Sequence, residues 1–252
     1  MTTSPIDLTG TTAIVTGAGR GFGRAIAGAL RATGATVVGV ARTGSELEEV
    51  RSELGAGFVP VEADASDEAV ATELLERYRP RTTVLNAGAA PPMGPLSRQT
   101  WESFSRNWEV DTRQAFHWSQ AALRIGLPAG STVITMSSGA ALRGSPLSGG
   151  YAGAKAAVRF ITAYAGQESR DAGLGVRFVA VLPQLTPETA LGELGVRAYA
   201  EQQGIDVADF VEALRPVLTP VQVGQAVALL STSPDHSESA YLLTGNGLKP
   251  LP

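Results

Sequence analysis

Cysteine is absent from the 252-residue chain, which excludes disulfides and thiolate chemistry. Histidine occurs twice, at His117 and His236, too far apart and too poor in companion ligands for a structural metal site. His117 follows Phe116 in a helical pattern and reads as packed or half-exposed, while His236 lies in the polar run SPDHSES and reads as solvated. Positive charge is scarce: 20 Lys and Arg stand against 24 Asp and Glu, a net charge of −4 with no basic stripe, which argues against a nucleic-acid partner. No run of about 18 apolar residues occurs, and the start, MTTSPIDLTGTTAIV, lacks a basic segment followed by an apolar stretch. The expectation is a soluble cytoplasmic protein with no membrane partner.

What the chain does have is a regular alternation. Short β-branched runs (TAIVTG, TVVGVAR, FVPVEAD, TVLNAG, STVITMSS, GVRFVAVLP, YLLTG) are separated by longer helical patterns, including one through WESFSRNWEVDTRQAFHWSQAAL. Strands spaced by such helices imply βαβ crossovers. The pattern predicts an α/β fold: a Rossmann-like, doubly wound, seven-stranded parallel sheet with helices on both faces. With 44% hydrophobic residues and no composition break, residues 1–252 read as one domain. The irregular stretch 184–220, with prolines at 187, 216 and 220, is either a cover over the site beyond the strand ends or a hairpin that only packs.

The first strand runs into TGAGRGFGRAIA, where Gly17, Gly21 and Gly23 free the backbone as a helix begins, with Arg20 and Phe22 between them. Such a turn admits a pyrophosphate to the helix N-terminus, where unpaired N–H groups and the dipole favour negative charge. Further along, YAGAKAAV sets Tyr151 and Lys155 four residues apart, on one helix face, where both could address one bound molecule.

The spacing TGxxxGxG, with Asp64 after the third strand, Asn86–Ala87–Gly88 after the fourth, Ser138 after the fifth, and Tyr151 with Lys155, resembles the single-domain branch of the short-chain dehydrogenase/reductase family over nearly the whole chain. The segment VLPQ, with Pro183 and Gln184, resembles that family's stretch after the sixth strand. The resemblance implies that Asp64 and Ala65 meet an adenine, that Asn86 to Gly88 support the cofactor ribose, and that Lys155 bonds the nicotinamide ribose. It further implies that Ser138 hydrogen-bonds the substrate oxygen. An acid after the second strand would bind a ribose 2′-OH, whereas an arginine would pair with a 2′-phosphate. Here Ala41 occupies the family's acidic position, Arg42 follows, and Arg20 can add a second cation, so NADP(H) is the expected cofactor.

Tyrosine is a poor base unless positive charge stabilises its phenolate. Lys155 and an oxidised nicotinamide could supply that charge, letting Tyr151 act as general acid and base between a ketone and a secondary alcohol. Two departures stand out. Asp111 replaces the family's usual asparagine in the fourth helix, and as an anion it would favour protonated Lys155 and oppose phenolate formation. Gln184 replaces a glycine and could narrow the pocket or hydrogen-bond the substrate. The expected pocket wall, AAPPMGPL, GAALRGSPLSGG and Leu191, Leu194, Tyr199 and Phe210, is mostly apolar and suits a hydrophobic small molecule. Arg143 reads as a solvated loop residue. A homodimer or homotetramer is expected by resemblance, although the tail YLLTGNGLKPLP lacks the usual acidic ending. An NAD-dependent alcohol dehydrogenase, a dehydratase or epimerase, and a non-catalytic nucleotide sensor on the same fold stay open as alternatives.

Overall fold

The computed structural model describes residues 7–232 and 238–251, so His236 lies outside the described residues. One sheet orders its strands β3-β2-β1-β4-β5-β6-β7-β8. These are β1 (Thr12–Thr16), β2 (Thr36–Ala41), β3 (Phe58–Glu62), β4 (Thr82–Leu85), β5 (Thr132–Met136), β6 (Arg177–Pro183), β7 (Ala240–Thr244) and β8 (Gly247–Leu251). β1 to β7 pair in parallel, joined through α1 (Gly21–Ala32), α2 (Gly44–Leu54), α3 (Glu68–Tyr78), α4 (Trp101–Asn107), α5 (Arg113–Ile125), α6 (Ala140–Arg143), α7 (Gly149–Asp171), α8 (Ala190–Gln203), α9 (Val207–Ala213) and α10 (Pro220–Thr232).

Successive strand residues point to opposite faces, and the core divides accordingly. Ala13, Val15, Val37, Ile134, Met136, Val179 and Val181 pack with α1, α2 and α10 on one side. Ile14, Val38, Val40, Val133 and Phe178 pack with α3, α5 and α7 on the other. Both faces are buried, which is why these strands read as continuous apolar runs.

The sequence predicts seven strands; the structure adds an eighth, antiparallel to β7. Thr244 pairs with Gly247, so Gly245 and Asn246 form a two-residue turn that folds the tail back, and Gly247 takes φ 101°. Pro250 is tolerated because β8 is an edge strand. The predicted long fourth helix is also interrupted. Trp108–Thr112 forms a π turn between α4 and α5, a widening of the helix that is frequent at functional sites.

At α7 the packing is close: a Cβ on Gly150 would fall within 2.0 Å of the Phe104 carbonyl oxygen, and one on Gly153 would lie 3.3 Å from the Trp108 indole. Further along α7, Phe160 and Tyr164 stack at 6.2 Å, and both are more than half exposed. The stretch 184–220 holds α8 and α9, joined by a stack of Tyr199 on Phe210 with centroids 6.3 Å apart. No helix among the described residues is long and apolar enough to cross a membrane.

Candidate active site

The strand order reverses between β1 and β4, so their carboxyl ends open a crevice at the point where such sheets bind ligands. Thr16 fastens the two ends. Its hydroxyl accepts from the amides of Asn86 (2.9 Å) and Ala87 (3.0 Å) and bonds Gln114 Oε1 at 2.5 Å. Asn86 Nδ2 donates back to the carbonyls of Thr16 (3.1 Å) and Gly17 (3.3 Å), and Gln114 Nε2 donates to Ala87 O at 2.8 Å. Gly17 has φ 66°, and a Cβ there would come within 2.9 Å of both Ala87 Cα and Asn86 Nδ2, so only glycine fits.

No side chain caps α1, and its first turn holds no acid. Arg24 N closes the first helical bond onto Arg20 O, leaving the N–H groups of Gly21, Phe22 and Gly23 ahead of the ladder. That donor set fits a pyrophosphate, and hence a dinucleotide whose phosphates lie across the glycine turn.

On the other side of the crevice, α7 carries Tyr151 and Lys155, with the ammonium 5.7 Å from the phenol ring centre. Lys155 is buried. Its Nζ lies 2.8 Å from Asp111 Oδ1 and donates to Met136 O at 2.9 Å. Burial works to lower the lysine pKa, but the charges of Asp111 and Tyr151 and the hydrogen bond to Asp111 leave it raised, so the side chain is a cation at neutral pH. Asp111 Oδ2 accepts from Ala89 N (3.0 Å) and Asn107 Nδ2 (3.3 Å), and Asn107 Nδ2 also donates to Ala89 O at 2.7 Å. A Cβ on Gly88 would lie 2.7 Å from Asp111 Oδ1. The π turn thus brings Asp111 against both the lysine and the 87–89 loop.

Ser137 and Ser138 divide their work. Ser137 is buried and donates to Lys155 O at 2.7 Å, whereas Ser138 is half-buried and accepts from Ala140 N at 3.1 Å, leaving its own proton free. Gly139 N bonds Pro183 O at 2.9 Å, which brings the Ser138 segment beside the end of β6. Gln184 Nε2 donates to Leu214 O (3.2 Å) and Pro216 O (3.1 Å), so the side chain ties the end of β6 to the 214–216 backbone.

On the nucleotide side, Arg42 is exposed after β2. Arg20 is not an unpaired cation, since it lies 3.6 Å from Glu46. Asp64 Oδ1 accepts from the Ser66 amide (2.9 Å) and hydroxyl (2.7 Å); these bonds, and after them the charges of Arg42 and Arg113, hold its carboxyl below the usual range. Ala65 is fixed by Trp118 Nε1, which donates to its carbonyl at 2.8 Å. Arg143 is exposed in α6, and His117 is largely covered, 3.9 Å from Glu68.

Several supports were invisible in the sequence: Thr16, Gln114, Asn107, Trp118 and Glu46 each act across a fold contact. Only Thr16, at the head of the glycine stretch, carried a signal that could have pointed to it. At the substrate side the Tyr199 hydroxyl hydrogen-bonds Ser145, whose Oγ lies 2.5 Å from Ser148 Oγ, so α8 is latched to the loop just before Tyr151.

Residues 11–195 match the family described as short chain dehydrogenase. The chain is 30% identical to versicolorin reductase 1 of Aspergillus parasiticus over 95% of its length and 96% of that protein. It is 37% identical to human L-xylulose reductase, over 46% of this chain and 48% of that one. Its fold matches the 3-ketoacyl-(acyl-carrier-protein) reductase of Brucella melitensis, solved with NADH, at TM-score 0.77 and 26% identity, over 95% of this chain and 98% of that one. With the glycine turn and the switch-point crevice, these matches make the chain a member of the short-chain dehydrogenase/reductase family, a family of nicotinamide-linked oxidoreductases.

Proposed function

We propose that the protein is an NADP(H)-dependent carbonyl reductase that interconverts a ketone and a secondary alcohol on a mainly hydrophobic small molecule. The observation that carries this reading is the buried, cationic Lys155 beside the Tyr151 ring, one helical turn away on α7. A bound nicotinamide supplies or accepts the hydride. Tyr151 donates a proton to the carbonyl oxygen during reduction and recovers it during oxidation. Ser138, its oxygen already accepting from Ala140 N, donates a hydrogen bond to the same carbonyl oxygen and keeps its proton. Asn86 to Gly88 line the ribose side, while Asp64 and Ala65 border the adenine.

Asp111 acts on this chemistry through Lys155. An anion 2.8 Å from the ammonium cancels part of the field that would otherwise reach the phenol. Residues 184–220 cover the substrate, with Leu191, Leu194, Tyr199 and Phe210 on the apolar wall. The preference for NADP(H) rests on Ala41 at the position of the usual acid at the end of β2 and on Arg42 after it. The partly exposed Trp108, Phe160 and Tyr164 support self-association of the chain through α7.

Tyr151→Phe is expected to lower kcat for ketone reduction by about 100-fold or more while nucleotide affinity stays near that of the parent protein; full turnover in this variant would overturn the mechanism. Asp111→Asn should alter the pH profile of oxidation by changing the charge state of the buried Lys155, and an unchanged profile would show that the carboxylate charge plays no part. Calorimetric titration should find NADPH bound more tightly than NADH, with Arg42→Ala reducing that ratio by about tenfold; an unaltered ratio removes Arg42 from the assignment. Sedimentation velocity should give a dimer or tetramer, and Phe160→Glu should shift it toward monomer.

A further inference from the structure

We propose that Glu46 sets the strength of the nucleotide preference, a role that rests on the NADP(H) reading given above. Glu46 lies in the first turn of α2, immediately after the Arg42 corner, yet its carboxylate leans back onto the glycine turn. A Cβ on Gly19 would lie 2.8 Å from both Glu46 Cβ and Oε2, so the glycine leaves the room this side chain fills. Glu46 Oε1 is 3.6 Å from Arg20 Nη1, and the glutamate side chain is 33% exposed against 79% for the arginine. The carboxylate therefore spans the gap between the loop that carries Arg20 and the corner that carries Arg42.

That gap borders the end of β2, where a doubly wound fold meets the adenosine ribose. Glu46 acts there in two ways. Toward a 2′-phosphate it is a like charge, and it also holds a cation that could otherwise turn to the phosphate. Toward a bare ribose it is a hydrogen-bond acceptor of the kind that Ala41 does not provide. Glu62 and Asp64 add negative charge nearby: Glu62 fills the space left at Gly44, and Asp64 feels the Arg42 charge. Two arginines thus face three carboxylates, and Glu46 is the one that engages the glycine turn.

The test is calorimetric titration of the parent protein, Glu46→Gln and Glu53→Gln with NADPH and, separately, with NADH. Glu53 lies in the last turn of α2 and pairs with Arg24 of α1 rather than with Arg20, so its variant makes the same charge change elsewhere on the helix. Glu46→Gln is expected to raise the NADPH over NADH affinity ratio by about three- to tenfold, mainly by tighter NADPH binding, and Glu53→Gln to leave it unchanged. An unchanged ratio in Glu46→Gln, or an equal rise in both variants, overturns the role of Glu46 and leaves the NADP(H) reading standing. Folded parent protein that binds neither nucleotide overturns that reading and this role together.

Discussion

A lysine ammonium taken out of water is costly unless its charge is matched and its hydrogens are used, and Lys155 is almost fully buried. Its two partners come from different parts of the chain: the Asp111 carboxylate from the π turn and the Met136 carbonyl from the end of β5. Asp111 in turn accepts from Ala89 N, and Asn107 closes the ring by bonding both Asp111 and the Ala89 carbonyl. One ion pair therefore fixes the depth of α7, the width of the turn between α4 and α5, and the loop after β4. Removing either charge would leave the other buried without compensation, a more severe change than losing a surface pair.

The crevice has a second fastening with no charge in it. Thr16, Asn86 and Gln114 join the ends of β1 and β4 to α5 by neutral hydrogen bonds, and Gly17 permits the backbone approach they require. The two halves of the site consequently differ in their electrostatics. The Lys155–Asp111 pair is buried and shielded from salt, whereas Arg20, Arg42 and Glu46 lie at or near the surface, where ionic strength screens them.

The substrate side is built on contacts that cross the insertion. Tyr199 reaches Ser145 from α8, which ties the middle of the 184–220 stretch to the loop before Tyr151, while Gln184 bonds the backbone after α9 and so closes the stretch on itself. Gln184 shows how a residue next to a site can also carry a backbone contact. In the sequence it is a larger residue where glycine is usual, which suggests an obstruction. In the fold its amide nitrogen donates to the Leu214 and Pro216 carbonyls.

Local periodicity is enough to encode the alternating strands and helices, because a residue's face follows from the repeat of its element. The glycine turn is legible for the same reason, and so is the shared face of Tyr151 and Lys155, which needs only a helix between them. Distant pairings carry no such code. Thr16 and Gln114 are 98 residues apart, and Trp118 and Ala65 are 53 apart; no local pattern announces that they meet. The same holds for the π turn, the Arg20–Glu46 pair and the orientation of Gln184. Sequence alone determined the architecture and the chemical groups at the strand ends, whereas the tertiary structure decided which charges are paired, because pairing depends on distances that arise only when separate segments pack.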